Sequence, residues 1–248
     1  MANYKTQAIN LKSYNFGEAD KIMVMYSRDY GILRCIAKGS RKYTSKLAGR
    51  TEMLMANDLL LAKGKNLDVI CQADLLDSFN GIRKDISKLT YSVYCAELIN
   101  NFGLENDTNS SQIYDNFFES LKNISLASSS EDILWTIIRF KLKLMKQLGY
   151  AVELDECVIC NSPVKESQIS FCADSGGVMC KNCKNDLHGT IDFDHDILRI
   201  LKNSINSDYA DESFNKILLS SCFNILKEYV SLRSHKKFKS PELIECLC

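Results

Sequence analysis

DKIMVMYSRDYGILRCIA, residues 20–37, carries the reading that decides the fold. Ile22, Val24 and Tyr26 alternate with Met23 and Met25, so both faces of the run are apolar enough to suit a strand of a small closed barrel. Asp29-Tyr30-Gly31 supplies a hairpin turn, and a second run begins at Ile32. Working outward, strand patterns recur at about 4–15, 20–28, 32–38, 52–63 and 67–77. Gly64-Lys65-Asn66 makes a further turn, and one long connection spans residues 39–51. Five strands of this length suit an oligonucleotide/oligosaccharide-binding (OB) barrel, although other small barrels would read alike.

Beyond Gly81 the period changes from two to about 3.6. Ile86, Leu89, Val93 and Ala96 form one predicted helical stripe, and Ile113, Phe117, Leu121 and Ile124 another. Residues 133–148 are apolar around much of a helix, which predicts a central position. Ser128-Ser129-Ser130 with Glu131 and Asp132 suits that helix's N-terminus, and Gly149 suits its end. Asp194 precedes a stripe of Ile197, Ile200, Leu201 and Ile205, and Phe214, Ile217, Leu218, Ile225 and Tyr229 predict a last helix. Both prolines, Pro163 and Pro241, fall outside the predicted helices.

The 248 residues are 46% hydrophobic and 25% charged, enough for a real core in two or three small domains. No run approaches the roughly 18 apolar residues of a membrane helix, and the opening MANYKTQAINLKSYNF lacks the order of a signal peptide. A cytoplasmic protein is therefore expected. In a reducing compartment eleven cysteines are not read as disulfides. Cys35, Cys71, Cys95 and Cys222 sit singly among apolar neighbours and read as small hydrophobes.

Cys157-x2-Cys160 and Cys180-x2-Cys183 are different. Two CxxC turns can each present two sulfurs to one ion, which is the donor set of tetrahedral Zn(II). Asn161-Ser162-Pro163 and Gly176-Gly177 provide tight turns, and Ile169 to Phe171 a short strand between the knuckles. Four protein ligands leave no open coordination position, so one structural rather than catalytic zinc ion is expected. Unliganded or redox cysteines are the plain alternative. Cys172 and His188 are spare donors outside either pair and are not assigned to the metal.

The net charge is zero, but its distribution is uneven. Residues 1–80 hold 12 Lys and Arg against 8 Asp and Glu, whereas residues 81–156 hold 8 against 11 and residues 157–248 hold 11 against 12. Between Asp29 and Glu52 there is no acid, while Arg34, Lys38, Arg41, Lys42, Lys46 and Arg50 all fall there with Tyr43. Glycines, hydroxyls, cations and one aromatic suit binding of phosphates and an unpaired base without sequence preference. The competing reading is a merely solvated face. Asp192, Asp194, His195 and Asp196 read as helix-capping chemistry, with a metal-dependent nuclease as the rival. No phosphate loop, GxSxG, HExxH or dinucleotide fingerprint occurs, so no enzyme is expected.

Several of these segments resemble one family in order. They are Gly17-Glu18-Ala19-Asp20, Tyr30-Gly31, Ala37-Lys38-Gly39-Ser40-Arg41-Lys42 with Ser45-Lys46, Phe140-Lys141-Leu142-Lys143-Leu144, Leu148-Gly149-Tyr150, the first CxxC, and Gly176-Gly177 leading to the second. Together the chain resembles the RecO family of bacterial DNA-repair proteins from end to end. The resemblance implies an α+β multidomain architecture. An N-terminal five-stranded OB-fold barrel (residues 1–80) precedes an α-helical domain (81–154 and 191–240), which is interrupted by a zinc-ribbon-like insertion (155–190) and followed by a tail (241–248). It also implies binding of single- and double-stranded DNA, annealing of complementary strands, and action with RecR to load RecA onto strands coated by single-strand-binding protein, near the nucleoid. Lys38, Arg41, Lys42 and Lys46 occupy the family's basic loop, while Arg34 and Arg50 are DNA candidates on charge alone. Some family members lack the four cysteines, which implies that the zinc supports local fold. The rival is an interaction adapter that uses the zinc ribbon against protein while the barrel is merely structural.

Overall fold

Five strands close on themselves: β1 (Asn3–Phe16), β2 (Asp20–Ser27), β3 (Gly31–Ala37), β4 (Ala56–Ala62) and β5 (Asp68–Asp77). The barrel order is β1-β2-β3-β5-β4, with β4 returning to β1. Every pairing is antiparallel except the short β3–β5 contact at Cys35 and Ile36. The structure is a computed structural model and describes residues 2–164, 169–186, 190–193, 195–206, 215–234, 236–240 and 244. His188, Asp194, Phe214 and Pro241 lie outside the described residues.

The alternation in residues 20–37 is what fills the barrel. Ala8, Met23, Met25, Cys35, Ala37, Leu59, Leu61 and Ile70 meet inside it as one core. Burial pushes the Cys35 thiol up to about 12, as for a small hydrophobe. Val24 and Tyr26, on the other face of β2, are buried as well. They are covered because helices α1 (Ile86–Phe102) and α2 (Ser110–Leu126) pack on the outside of β1, β2 and β3. Gly31 sets the closest approach: its φ is +65°, and a Cβ there would stand 2.1 Å from the Leu104 carbonyl oxygen.

Two sequence expectations shift. The fourth strand starts at Ala56 rather than near residue 52, because the buried Asn10 amide donates to the carbonyls of Arg50 (2.7 Å) and Glu52 (2.8 Å) and withdraws them from the sheet. Residues 49–51 form one turn of 3-10 helix instead. In α1 the stripe through Ile86 is misphased: Ile86 is 65% exposed, and the buried positions include Tyr91, Tyr94, Cys95, Leu98 and Ile99. Apolar residues surround most of that helix, so its sequence marks no single face. Ile113, Phe117, Leu121 and Ile124 of α2 are all buried as predicted.

The chain condenses into two compact units, residues 1–126 with 239–248, and residues 127–238. In the first, the carboxylate of Glu97 in α1 accepts from the backbone N–H groups of Lys239 and Ser240 (both 2.9 Å) and from the Ser240 hydroxyl (2.5 Å). In the second, α3 (Ser130–Gln147) opens with a capping box of Ser129 and Asp132. It is buried along most of its length, Lys141 included, whose ammonium donates to the Phe223 carbonyl (2.9 Å) and lies 3.6 Å from the Phe223 ring centroid. Gly149, at φ +82°, follows its end. Helices α4 (His195–Asn206) and α5 (Lys216–Arg233) pack on α3. A small sheet of β6 (Ile169–Cys172), β7 (Gly177–Met179) and β8 (Thr190–Phe193) has the order β7-β6-β8. Ile197, Ile200, Leu201, Ile225 and Tyr229 are buried as the periodicity predicts, whereas Ile205 and Ile217 are exposed.

Candidate nucleic-acid interface and metal centre

The connection after β3 is a succession of tight turns fastened to the β1–β2 hairpin. Gly39 takes φ +64° and its N–H donates to the Asp20 carboxylate (2.7 Å). The Arg41 N–H donates to the Ala19 carbonyl (2.9 Å), and its guanidinium to the Gly17 carbonyl (3.2 Å). Further turns close through Lys42 to Gly39, Ser45 to Lys42 and Thr51 to Leu47, each at 3.0 Å. The backbone is thus held while its charges remain outside: Lys38, Arg41, Lys42 and Lys46 are exposed, and Tyr43 is fully so at 103%.

The six candidate cations are not equivalent. Among the described residues Lys38, Arg41, Lys42, Lys46 and Arg50 pair with no carboxylate. Arg50 is half-buried, and its carbonyl accepts from the Asn10 and Asn57 amides. Arg34 lies on β3 rather than in the loop and is ion-paired with Glu105. Lys21 is likewise paired, with Glu52 at 3.2 Å.

The hairpin also presents residues that charge counting passes over. Tyr14 and Phe16 are 53% and 48% exposed, opposite Ile22 and Asp20, and Lys12 stands 5.7 Å from the Tyr14 ring centroid. Their signal was legible: two aromatics at i and i+2 share one face of a strand.

The four paired cysteines converge. The sulfurs of Cys157, Cys160, Cys180 and Cys183 all lie within 4.8 Å of one another, with Cys160 and Cys180 at 3.8 Å. Sulfurs bound tetrahedrally to one zinc ion at 2.3 Å would stand about 3.8 Å apart, so this group could hold one metal ion. Local backbone explains the convergence. Asn161 takes φ +56° and its N–H returns to the Cys157 carbonyl (2.8 Å), while the Cys157 N–H donates to the Ser162 carbonyl (2.9 Å). The second knuckle turns through the Cys183 N–H to the Cys180 carbonyl (3.1 Å). Gly177 lets β7 approach Glu153, since a Cβ there would stand 2.4 Å from the Glu153 carbonyl oxygen.

Sulfur acidities reflect the crowding. Hydrogen bonds from the Ser162 hydroxyl and backbone hold the Cys160 thiol down to about 6, and those to Cys180 and Cys160 push Cys183 up to about 12. Four neighbouring thiolates repel unless a cation lies among them. Cys172 is buried and packs beside Cys157 and Met179, with its sulfur 3.4 Å from the Ser175 hydroxyl. It stands outside the quartet, as does every carboxylate among the described residues. Asp192 is committed elsewhere: it pairs with Lys184 and accepts from the Ser170 hydroxyl (2.5 Å), and these bonds draw its carboxyl below the ordinary range. Asp196, in the first turn of α4, pairs with Arg199 at 3.2 Å.

Known families match in the same order as these elements. A family model described as Recombination protein O N terminal covers residues 1–79, and one described as Recombination protein O C terminal covers residues 83–242. A protein of Desulforamulus reducens is 29% identical over 251 residues, spanning 100% of this chain and 96% of its own length. One of Thermoanaerobacter sp. (strain X514) is 30% identical over 246 residues, spanning 98% and 97%. One of Acaryochloris marina is 34% identical over 182 residues, spanning 71% and 61%. All three carry the name DNA repair protein RecO. With a five-stranded barrel under the first family model and a four-cysteine cluster under the second, the chain belongs to the recombination protein O, or RecO, family.

Proposed function

We propose that this protein binds single- and double-stranded DNA through its N-terminal barrel, anneals complementary strands, and works with RecR to load RecA onto strands coated by single-strand-binding protein. The observation that carries this reading is the set of four exposed cations, Lys38, Arg41, Lys42 and Lys46, on a loop whose backbone is tied down and whose charges no carboxylate among the described residues neutralises. Such a patch displaces counterions from sugar–phosphate chains and has no means of reading sequence. By screening the repulsion between two strands it raises their local concentration and leaves base pairing to choose the partner. No bond is made or broken, so annealing requires no catalytic group, and a cytoplasmic, nucleoid-associated protein fits this role.

In this reading residues 1–80 form the DNA-binding domain, with Arg50 at the loop's end and Arg34 as a reserve cation. Residues 155–190 are a structural insertion in which Cys157, Cys160, Cys180 and Cys183 hold one Zn(II). The ion would cross-link two knuckles that carry little other core. The test is fluorescence-monitored annealing of complementary oligonucleotides by the full-length protein and by the variant Lys38→Ala, Arg41→Ala, Lys42→Ala, Lys46→Ala. The variant should anneal slowly while keeping its zinc content. An unchanged rate would overturn the proposal.

A further inference from the structure

A cleft of about 270 Å³ lies on the barrel between the start of β3 and the β4–β5 turn, apart from the basic loop. Its wall forms where Gly31 admits residues 104–106. The Ile32 N–H donates to the Leu104 carbonyl (2.9 Å), and the Asn106 N–H to the Tyr30 carbonyl (2.8 Å). Tyr30 lines it, held edge-to-face against Tyr4 with ring centroids 5.1 Å apart.

The acids in the wall are already engaged. Asp68 accepts from the Tyr4 hydroxyl and from the Gly64 N–H (3.0 Å), and Glu105 pairs with Arg34. Burial and the hydrogen bond to Asp68 push the Tyr4 phenol far above its usual range, so it stays protonated and a donor. The groups left over are of another kind. Among the described residues the side-chain amides of Asn66 and Asn106 have no hydrogen-bond partner, and the Lys63 ammonium has no carboxylate, lying 5.8 Å from the Tyr4 ring centroid. An aromatic ring, two planar amides and one cation therefore face a space of about 270 Å³, just under the roughly 300 Å³ at which drug-sized ligand sites begin and so suited to a single small ring system.

We infer that this cleft takes one unstacked nucleobase of an unpaired DNA strand, stacked on Tyr30 and hydrogen-bonded through Asn66 and Asn106, with Lys63 on the adjoining phosphate. The inference rests on the proposed DNA-binding role and adds a second, base-dependent site to it. Amides complement the donor and acceptor pattern of a base edge, an edge that is free only when the base is unpaired. Duplex DNA cannot offer a base to the cleft without breaking a pair. The loop senses phosphates on any strand, and the cleft makes the barrel distinguish single strands from duplex.

The test measures equilibrium binding of the full-length protein to three probes of equal length: a mixed-sequence single strand, an abasic single strand and a duplex. Tyr30→Leu and, separately, Asn66→Ala should weaken binding to the base-bearing strand by about tenfold for the stacking residue and less for the amide. Both should leave the abasic and duplex probes unchanged. Asn66 is an exposed turn residue, so its variant keeps the result meaningful even if Tyr30→Leu perturbs the barrel. Lys63→Ala should make the salt slope shallower by about 0.7 on the base-bearing strand. Equal losses on all three probes, or no loss on the base-bearing strand, would overturn the cleft. The four-residue loop variant separates the two readings: if it binds all three probes like the unaltered protein, the loop's role falls while the cleft is judged on its own variants. If the unaltered protein binds none of the probes, both fall.

Discussion

The basic loop of residues 38–55 and the cysteine knuckles at residues 157–160 and 180–183 all turn tightly, yet they dispose of their polar groups in opposite ways. In the loop, backbone groups are consumed by Asp20, Ala19 and Asn10, and the Arg41 guanidinium donates to the Gly17 carbonyl, while Lys38, Arg41, Lys42 and Lys46 remain exposed. In the cysteine module the reactive atoms converge on one another, four sulfurs within 4.8 Å, although only Cys157 is buried, and the acid Asp192 is bound by Lys184 and Ser170. In the one region the backbone is fixed and the cations face outward; in the other the side-chain sulfurs themselves converge. Arg34 and Lys38 differ in the same way: Arg34, on β3, is ion-paired with Glu105, whereas Lys38, just past the end of that strand, pairs with no carboxylate among the described residues.

Breaking the convergent site should have the largest effect. Structural zinc supplies on the order of 10 kcal/mol of folding free energy to small modules. Cys157→Ser, or chelation of the zinc-loaded protein, should reduce metal content from about one ion per chain and strip hydrogen-exchange protection from residues 169–179. DNA binding by the loop should persist. Next comes the outward-facing surface. The four-residue loop variant should flatten the dependence of log affinity on log salt by about 3 for single strands, with thermal stability little altered because all four side chains are exposed.

A smaller effect is expected where the loop is tied down. Asn10→Ala removes the donor to the Glu52 carbonyl and leaves the Arg50 carbonyl with the Asn57 amide alone; it should cost about 2 kcal/mol, read as a lower Tm. The smallest test converts a spent charge into a free one. Glu105→Gln releases Arg34 from a surface ion pair that is worth at most about 1 kcal/mol. It should raise DNA affinity about two- to fivefold, and a loss of affinity instead would remove Arg34 from the interface.

Much of this was legible in advance, for identifiable reasons. Strand alternation around Met23 and Met25 survives because a barrel interior must be apolar at every second residue. The cysteine pairs were readable because each CxxC turn is local. The stripe through Ile86 failed because α1 is buried on several sides and its sequence carries no clear phase. The start of β4 was misplaced because Asn10, forty residues away from Arg50, captures the carbonyls that would have extended it. Tyr14 and Phe16 were visible as an i, i+2 pair but carry no charge to attract notice, while Lys63 read only as the end of a strand and Asn66 only as part of a turn.

Determined by the order of residues alone, then, were the number of barrel strands, the helical periods, the metal-ligand spacing and the presence of a cationic loop, all properties of neighbours along the chain. Only tertiary structure decided which cations are ion-paired, since that depends on Glu105 approaching Arg34 across seventy-one positions. It likewise decided that Tyr30, Lys63, Asn66 and Asn106 share one cleft, because closing a barrel joins residues whose separation in sequence holds no record of their meeting.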